Sequence, residues 1–176
     1  MRGRVQVRRR KLKGRARSLD NQKLTVREIT GPSEKTRIAR EVLEDLTDWF
    51  GVKESRENYI CESAGQAFFA AFDGDEPAGF VCLKQTGKDT AELAVMGVKR
   101  QYHRRGAGRA LFIKARDAAA GMGYSFLQVK TVKMGVYEDY DATNRFYLSL
   151  GFKEFEVFPL LWDEHNPCQV YVMSLK

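Results

Sequence analysis

Apolar residues recur at helical spacing in two long stretches of the chain. The first stretch has intervals of four, four and three residues between Ile38, Val42, Leu46 and Trp49. This spacing is typical of one face of an α-helix, and it predicts a helix that begins with Ser33 as its N-cap and runs to Phe50. Gly51 is placed to stop it, and residues 52–65 indicate a short second helix.

The second helical stretch follows a strand-like segment and begins at two glycines. Its apolar positions are Ala107, Leu111, Ala115, Ala118 and Met122. Because the strand-like residues Leu93–Val98 come just before it, Gly106 and Gly108 fall within the first turn of a helix that ends near Gly121 or Gly123. A polar, aromatic loop is predicted up to residue 141, followed by a last helix over residues 142–150.

The other apolar stretches are short or alternate with polar residues, which is typical of strands. They cover residues 23–30, 66–72, 78–83, 88–99, 125–132, 152–159 and 170–175. Residues 73–77 form a hairpin turn by composition. We therefore expect one α/β domain of the α+β type, with a mixed, largely antiparallel, twisted sheet of about six to seven strands and helices on both faces.

Positive charge is concentrated at the start of the chain. Residues 1–19 hold nine Lys or Arg and no acid, so the remaining residues are slightly acidic although the whole chain has a formal charge of +7. We divide the chain into a basic arm, residues 1–20, and a domain, residues 21–176. The arm is open to four interpretations: a disordered solvated tail, a start-site artefact, an organelle transit peptide, or a contact for nucleic acid or an anionic surface.

The cysteines show no pattern of a metal site or of disulfide bonds. Cys61, Cys82 and Cys168 are far apart, and only His103 and His165 could assist them. We expect no metal, and we expect Cys82 and Cys168 to be buried free thiols. No apolar stretch is long enough for a membrane span, so we expect a cytoplasmic protein without a membrane partner.

The turn before the second long helix is suited to bind a phosphate. The first N–H groups of a helix lack partners, and glycines such as Gly106 and Gly108 allow a phosphate to approach them. Arg104, Arg105 and Arg109 add positive charge, although they could also be solvated helix residues. The segment matches neither a Walker loop nor the full dinucleotide fingerprint. We therefore expect a phosphate-rich ligand.

The order of elements and three segments resemble the GNAT superfamily of acetyl-CoA-dependent N-acetyltransferases. Residues His103–Gly108 are similar to the family's pyrophosphate motif, with His103 in place of the usual Gln or Arg. Thr143–Phe152 resembles the late helix that carries a tyrosine and ends in Gly-Phe, although Tyr140 stands where the family often has Asn. Glu76–Val81 resembles the strand before the cofactor strand.

The resemblance implies that acetyl-CoA is the acetyl donor. The expected cofactor-binding residues are Met96, Val98, His103, Arg104, Arg105, Gly106, Ala107, Gly108, Arg109 and Thr143. Main-chain N–H groups of Met96 and Val98 would bind the pantetheine arm and the thioester oxygen at a bulge marked by Gly97.

The resemblance also implies two catalytic residues. Tyr147 occupies the position of the family tyrosine that protonates the departing sulfur of coenzyme A, and otherwise it is a core aromatic residue. Glu92 lies eleven residues before His103, the spacing at which histone-acetylating members place their base. It is otherwise an ordinary strand residue facing solvent.

These expectations describe direct acetyl transfer to a primary amine of a small molecule or a protein. The acceptor is unidentified, and the acidic loop 137–141 would suit a cationic amine. Two alternatives are a non-catalytic acetyl-CoA sensor and a protein that acts on nucleic acid through its arm, and we do not expect nucleic acid as the main partner. A homodimer is left open.

Overall fold

The computed structural model describes residues 24–176, which form seven strands and four α-helices around a single sheet. In chain order the elements are β1 (Thr25–Ile29), α1 (Pro32–Asp45), α2 (Lys53–Ser63), β2 (Ala67–Asp73), β3 (Glu76–Gln85), β4 (Thr90–Val98), α3 (Ala107–Gly121), β5 (Phe126–Val132), α4 (Glu138–Ser149), β6 (Lys153–Asp163) and β7 (Asn166–Ser174). A 3₁₀ turn at Arg100–Tyr102 links β4 to α3. The predicted basic arm, residues 1–20, and residues 21–23 lie outside the described residues.

The sheet has the strand order β1-β2-β3-β4-β5-β7-β6. All neighbouring strands are antiparallel except β4 and β5, which run parallel because α3 connects them as a crossover helix. The prediction of a mixed, largely antiparallel sheet is confirmed.

Helices cover both faces of the sheet, as predicted. Strand β2 illustrates the reason, because its apolar residues do not alternate with polar ones and both of its faces are buried. Phe68 packs with Ile38 and Val42 of α1, whereas Phe69 packs in the cluster that contains Leu111 and Phe112 of α3. No helix within residues 24–176 has both the length and the apolar character needed to cross a bilayer.

The bounds of α1 and α4 differ from the prediction, and α1 begins at Pro32 with Gly31, not Ser33, as its N-cap. Helix α1 ends at Asp45 with Leu46 as its C-cap, so Trp49 lies beyond the helix although it continues the apolar spacing. Helix α4 begins at Glu138 rather than at residue 142, and the acidic residues assigned to a loop form its first turn. The carboxylates of Glu138, Asp139 and Asp141 stabilise the start of the helix because they lie at the positive end of the helix dipole.

The hairpins also differ in detail. The turn between β2 and β3 has only two residues, Gly74 and Asp75, and Gly74 adopts φ 62°. Strand β6 continues through Pro159 to Asp163, four residues beyond the predicted end, because β6 is an edge strand where a proline costs no ladder hydrogen bond. Strand β7 correspondingly starts at Asn166.

Candidate functional site

Strands β4 and β5 pair over only three positions and then separate. The paired positions are Thr90 with Phe126, Ala91 with Leu127, and Glu92 with Gln128. Beyond them, β4 pairs only with β3, and β5 pairs only with β7. The strands therefore open a gap within the sheet, and we call this the β4–β5 opening.

A bulge in β4 lies where the two strands begin to separate. Leu93 is opposite Leu83 and Val95 is opposite Cys82, so Ala94 is the extra residue. A bulge bends its strand, which accounts for the divergence from β5. The prediction of a bulge marked by Gly97 was wrong in position.

Gly97 instead allows α1 to approach the sheet. A Cβ at this position would lie 2.9 Å from Leu46 Cδ1 and 3.1 Å from Val42 Cγ1. A side chain at this position would therefore require Leu46 and Val42 to repack. The sequence correctly indicated that Gly97 has a structural role, but the reason is the close approach of α1 and not a bulge.

The main chain of β4 directs two N–H groups into the opening. The N–H of Lys99 donates to Ala78 O of β3 at 2.9 Å. Because successive N–H groups of a strand point to opposite sides, those of Val98 and Met96 point away from β3, toward β5. Both are expected cofactor-binding residues, and both border the opening.

The first turn of α3 has unpartnered N–H groups. Gly106 is the N-cap, with φ 84°, and no side chain caps the helix. Within the described part of the chain, the first main-chain bond of this turn runs from Ala110 N to Gly106 O at 3.0 Å, and the N–H groups from Gly106 to Arg109 find no acceptor. The turn has the free donors that an anion requires.

Helix α4 packs closely against this turn. A Cβ added to Gly108 would lie 3.1 Å from Phe146 Cζ and 3.6 Å from Met96 Cε. The glycine therefore allows contact between α3, α4 and β4 at one point. The predicted glycine turn, the tyrosine-bearing helix and the strand before them are brought together.

The three arginines of the turn differ in their surroundings. Arg105 lies 3.4 Å from the Asp73 carboxylate, with its guanidinium 5.1 Å from the centre of the Tyr102 ring. Arg104 and Arg109 are exposed, and neither forms an ion pair within residues 24–176. Arg104 has φ 58°, a left-handed conformation that costs a non-glycine residue about 1–2 kcal/mol.

His103 connects the turn to the end of β4. Its Nε2 lies 2.7 Å from Val98 O, so this nitrogen carries the proton and donates it. The ring also packs edge-on against Trp49, with 6.0 Å between the ring centroids. His103 thus fixes the turn against β4 and the segment after α1.

Tyr147 is buried beside the opening, on the face of the sheet covered by α3 and α4. Its side chain packs in the same cluster as Leu93 of β4 and Val129 of β5, and the residue is only 7% exposed. Burial raises the pKa of the Tyr147 phenol, which therefore stays protonated. Such a group can donate a proton.

Glu92 lies at the same level of β4 but on the opposite face, since its neighbours Ala91 and Leu93 belong to the α3 side. Its Oε2 accepts hydrogen bonds from Gln128 Nε2 at 2.8 Å and from Lys130 Nζ at 2.6 Å. Both partners were missed from the sequence, although polar residues at alternate positions of a buried strand are a recognisable signal.

Helix α4 is fixed to the sheet by a buried asparagine that was also missed. Asn144 Nδ2 donates to Val132 O at 2.9 Å and to Tyr140 O at 2.7 Å, and its Oδ1 accepts from the Tyr171 hydroxyl at 2.6 Å. The expected cofactor residue Thr143 donates its hydroxyl to Asp139 O at 3.3 Å.

Tyr140 stands where the family often has Asn. Its hydroxyl donates to Trp49 O at 3.0 Å, which connects α4 to the segment after α1. In this chain the position therefore joins α4 to the segment that follows α1.

The comparison with family models decides the relationship. A model described as the acetyltransferase (GNAT) family matches residues 35–152, about two thirds of the chain. The chain belongs to the GNAT family. The matched range contains β4, the glycine turn, α3 and Tyr147, and the resemblance noted from the sequence is confirmed.

Solved structures agree with GNAT membership at the level of the fold. A GNAT-family protein from Desulfovibrio desulfuricans has a TM-score of 0.71 and 20% identity over 88% of this chain and 100% of that one. The ribosomal-protein-S18-alanine N-acetyltransferase of Escherichia coli has a TM-score of 0.69 and 18% identity, over 88% and 95%. An aminoglycoside 6'-N-acetyltransferase in complex with coenzyme A has a TM-score of 0.67 and 18% identity, over 86% and 97%. The chain matches no curated protein.

Proposed function

We propose that the chain transfers an acetyl group from acetyl-CoA directly to a primary amine. The observation that carries the proposal is the continuity of two sets of main-chain donors. The unpartnered N–H groups at Gly106–Arg109 belong to a turn in which Gly108 lies against Met96, and the N–H groups of Met96 and Val98 point away from β3. A diphosphate, a pantetheine arm and a thioester together match this path, and a GNAT-fold enzyme has been solved with coenzyme A.

In this proposal the diphosphate binds at the first turn of α3, where the helix dipole and free N–H groups favour negative charge. Arg104 and Arg109 add charge from the surface of the turn. Arg105 is paired with Asp73, so less of its charge is available to the diphosphate. The pair instead holds the turn in position. His103 is a positioning residue because it bonds to Val98 O.

The thioester then reaches the level of the β4–β5 opening where Glu92 and Tyr147 lie on opposite faces. A free amine attacks the carbonyl carbon, while N–H donors of β4 stabilise the developing negative charge on oxygen. The neutral Tyr147 phenol protonates the departing thiolate. Glu92, directly or through a water, accepts the proton that the acceptor ammonium must lose.

Two measurements test this proposal. Calorimetry should detect saturable binding of coenzyme A, and a thiol-release assay with a panel of amines should show acceleration by at least one of them. Binding without acceleration by any amine would favour a sensor, and failure to bind coenzyme A would contradict the proposal. Gly121→Ala is a useful reference variant because Gly121 is the last residue of α3, and a Cβ there would meet no other atom within 4 Å.

A further inference from the structure

The ion pair between Lys130 and Glu92 lies on the face of the sheet opposite Tyr147, and in the proposed function the acceptor meets the thioester from that face. Tyr147 lies in the α3 and α4 cluster on the other face. Lys130 is two residues past Gln128, the last residue of β5 that pairs with β4. The pair is partly accessible, because the Glu92 side chain is 12% exposed and that of Lys130 is 29% exposed.

Both members of the pair have unused hydrogen-bonding capacity. The two donors that reach Glu92 both bind Oε2, and Oε1 has no partner among residues 24–176. The Lys130 ammonium has three N–H groups, and the structure assigns one to Glu92. The pair therefore offers one free carboxylate oxygen and free ammonium protons, side by side.

A thiol, a phenol and a second ion pair lie near the Lys130–Glu92 pair. Burial raises the pKa of the Cys168 thiol to about 11, and it also raises the pKa of the Tyr59 phenol, with the carboxylates of Glu62 and Glu92 adding to the shift. Neither group carries charge near neutral pH. Lys84 lies opposite Glu92 on β3, but its Nζ reaches the Glu62 carboxylate at 3.5 Å, so the ion pair that borders the opening is Lys130 with Glu92.

A partly buried ion pair is a weak contribution to stability, because desolvation offsets much of its attraction. Apolar residues would pack at these two positions without that cost, as they do at Leu127 and Val129 on the other face. A ligand that carries one positive and one negative group close together would complete a four-charge arrangement with the pair. Ligand binding therefore accounts for two charged residues at these positions, and packing does not.

We infer that the acceptor is a small molecule with a carboxylate one or two carbons from its primary amine. This inference rests on the proposed function. The ammonium of the acceptor binds at Glu92 Oε1, and its carboxylate binds the free N–H groups of Lys130. The amine is thereby held at the opening, and the carboxylate selects the acceptor.

The reaction balances with acetyl-CoA as the only other substrate. The acceptor ammonium loses one proton to Glu92, and its nitrogen attacks the thioester carbon. A C–N bond forms, the C–S bond breaks, and the thiolate takes a proton from Tyr147. The nitrogen loses its second proton as the amide forms, and this proton replaces the one that Tyr147 gave, while Glu92 releases the first proton to solvent. The products are an N-acetylated acid and coenzyme A, with net release of one proton.

A bare polyamine is the competing acceptor class. Its attraction would depend on the acidic first turn of α4, but Asp141 there already accepts the N–H of Gly135 at 2.7 Å. Glu138, Asp139 and Asp141 also stabilise the start of their own helix. The acidic turn therefore has a structural use, whereas Glu92 is the last residue of β4 that pairs with β5 and so borders the opening.

The test compares matched acceptors on the full chain. Phenylalanine, phenylalaninamide and phenethylamine share one ring and differ in the carboxylate, and the same comparison can be made with alanine, alaninamide and ethylamine. We expect kcat/KM for at least one carboxylate form to exceed that of its amide and of its amine at least tenfold. Equal or better turnover of the amines, the amides or spermidine would overturn the inference and leave the proposed function intact.

Variants of Lys130 separate recognition from folding. Lys130→Met should reduce the preference for the carboxylate form at least tenfold, and Lys130→Arg should retain it, since it keeps the charge. Lys133→Met is the matched control because Lys133 is an exposed lysine just after β5, and it should leave the preference unchanged. An unchanged preference in Lys130→Met would overturn the inference. Absence of thiol release with every acceptor would overturn both the inference and the proposed function.

Discussion

Tyr147 and Glu92 lie on opposite faces of one sheet, beside the point where β4 and β5 stop pairing. Tyr147 shares a cluster with Leu93, and Glu92 precedes Leu93 on the other face. A thioester held in the opening would meet a buried phenol from one side and a carboxylate from the other. The arrangement separates a proton donor from a proton acceptor without a contact between them.

Replacing Tyr147 with Phe should lower kcat for thiol release by about 10²–10⁴-fold, because it removes the proton donor and retains the ring. Coenzyme A affinity, measured by calorimetry, should change little. Tyr124→Phe is the control, since Tyr124 lies beyond the end of α3. A normal kcat in Tyr147→Phe would exclude the acid role.

The raised pKa of Tyr147 has a consequence for stability at alkaline pH. The folded protein holds this phenol proton more tightly than the unfolded chain, whose tyrosine has a pKa of about 10. The contribution is complete below about pH 10 and is lost as the pH rises through the pKa in the folded protein. Urea unfolding from pH 8 to 11 should show stability falling less steeply in Tyr147→Phe than in the original chain. Parallel slopes would contradict the burial argument.

Gly97→Ala should destabilise the protein by about 1–3 kcal/mol, because the new methyl group meets Leu46 and Val42 of α1. Gly121→Ala is the control, since a Cβ there has no neighbour within 4 Å. Urea unfolding measures both variants. An unaffected Gly97→Ala would mean that α1 does not pack tightly on β4.

The asparagine in α4 should be more sensitive to substitution than an exposed helix residue. Asn144→Leu leaves the Tyr171 hydroxyl and the Val132 carbonyl without partners, at a cost of about 1–3 kcal/mol for each buried group. Adding Tyr171→Phe to Asn144→Leu should restore part of the loss. Simple additivity of the two substitutions would show that the hydroxyl and the amide are not coupled.

Local patterns predicted most of the fold and the position of the glycine turn. The order of strands and helices, the turn at Gly106 and the tyrosine-bearing helix all follow from features close together in the sequence. The boundaries of α1 and α4 were less accurate, because Trp49 continues an apolar pattern beyond the helix and the acids at residues 138–141 are suited to both a loop and a helix start.

Contacts between distant residues could not be predicted from the pattern. The ion pair of Glu92 with Lys130 joins residues 38 apart, and the bond between Asn144 and Tyr171 joins residues 27 apart. The register of parallel strands decides the first contact and helix packing decides the second. A single sequence directly shows neither the strand register nor the helix packing.

Cys82 and Cys168 are buried free cysteines, as predicted from their strand-like surroundings.

The basic arm gives a separate prediction. Deleting residues 1–19 should leave thiol release unchanged, because every residue of the proposed site lies within the domain. If the arm contacts nucleic acid, the intact chain should bind it with an affinity that falls steeply with salt, and the deletion should remove that binding. Loss of acetyl transfer on deletion would contradict the division at residue 20.

The central claim is that the main-chain N–H groups from Gly106 to Arg109 bind the diphosphate of acetyl-CoA and direct its thioester into the β4–β5 opening. A crystal structure of the chain with coenzyme A tests it most directly. We expect diphosphate oxygens within hydrogen-bond distance of those nitrogens and the pantetheine arm beside Met96 and Val98. A diphosphate bound elsewhere, or a chain that does not associate with coenzyme A at millimolar concentration, would contradict it.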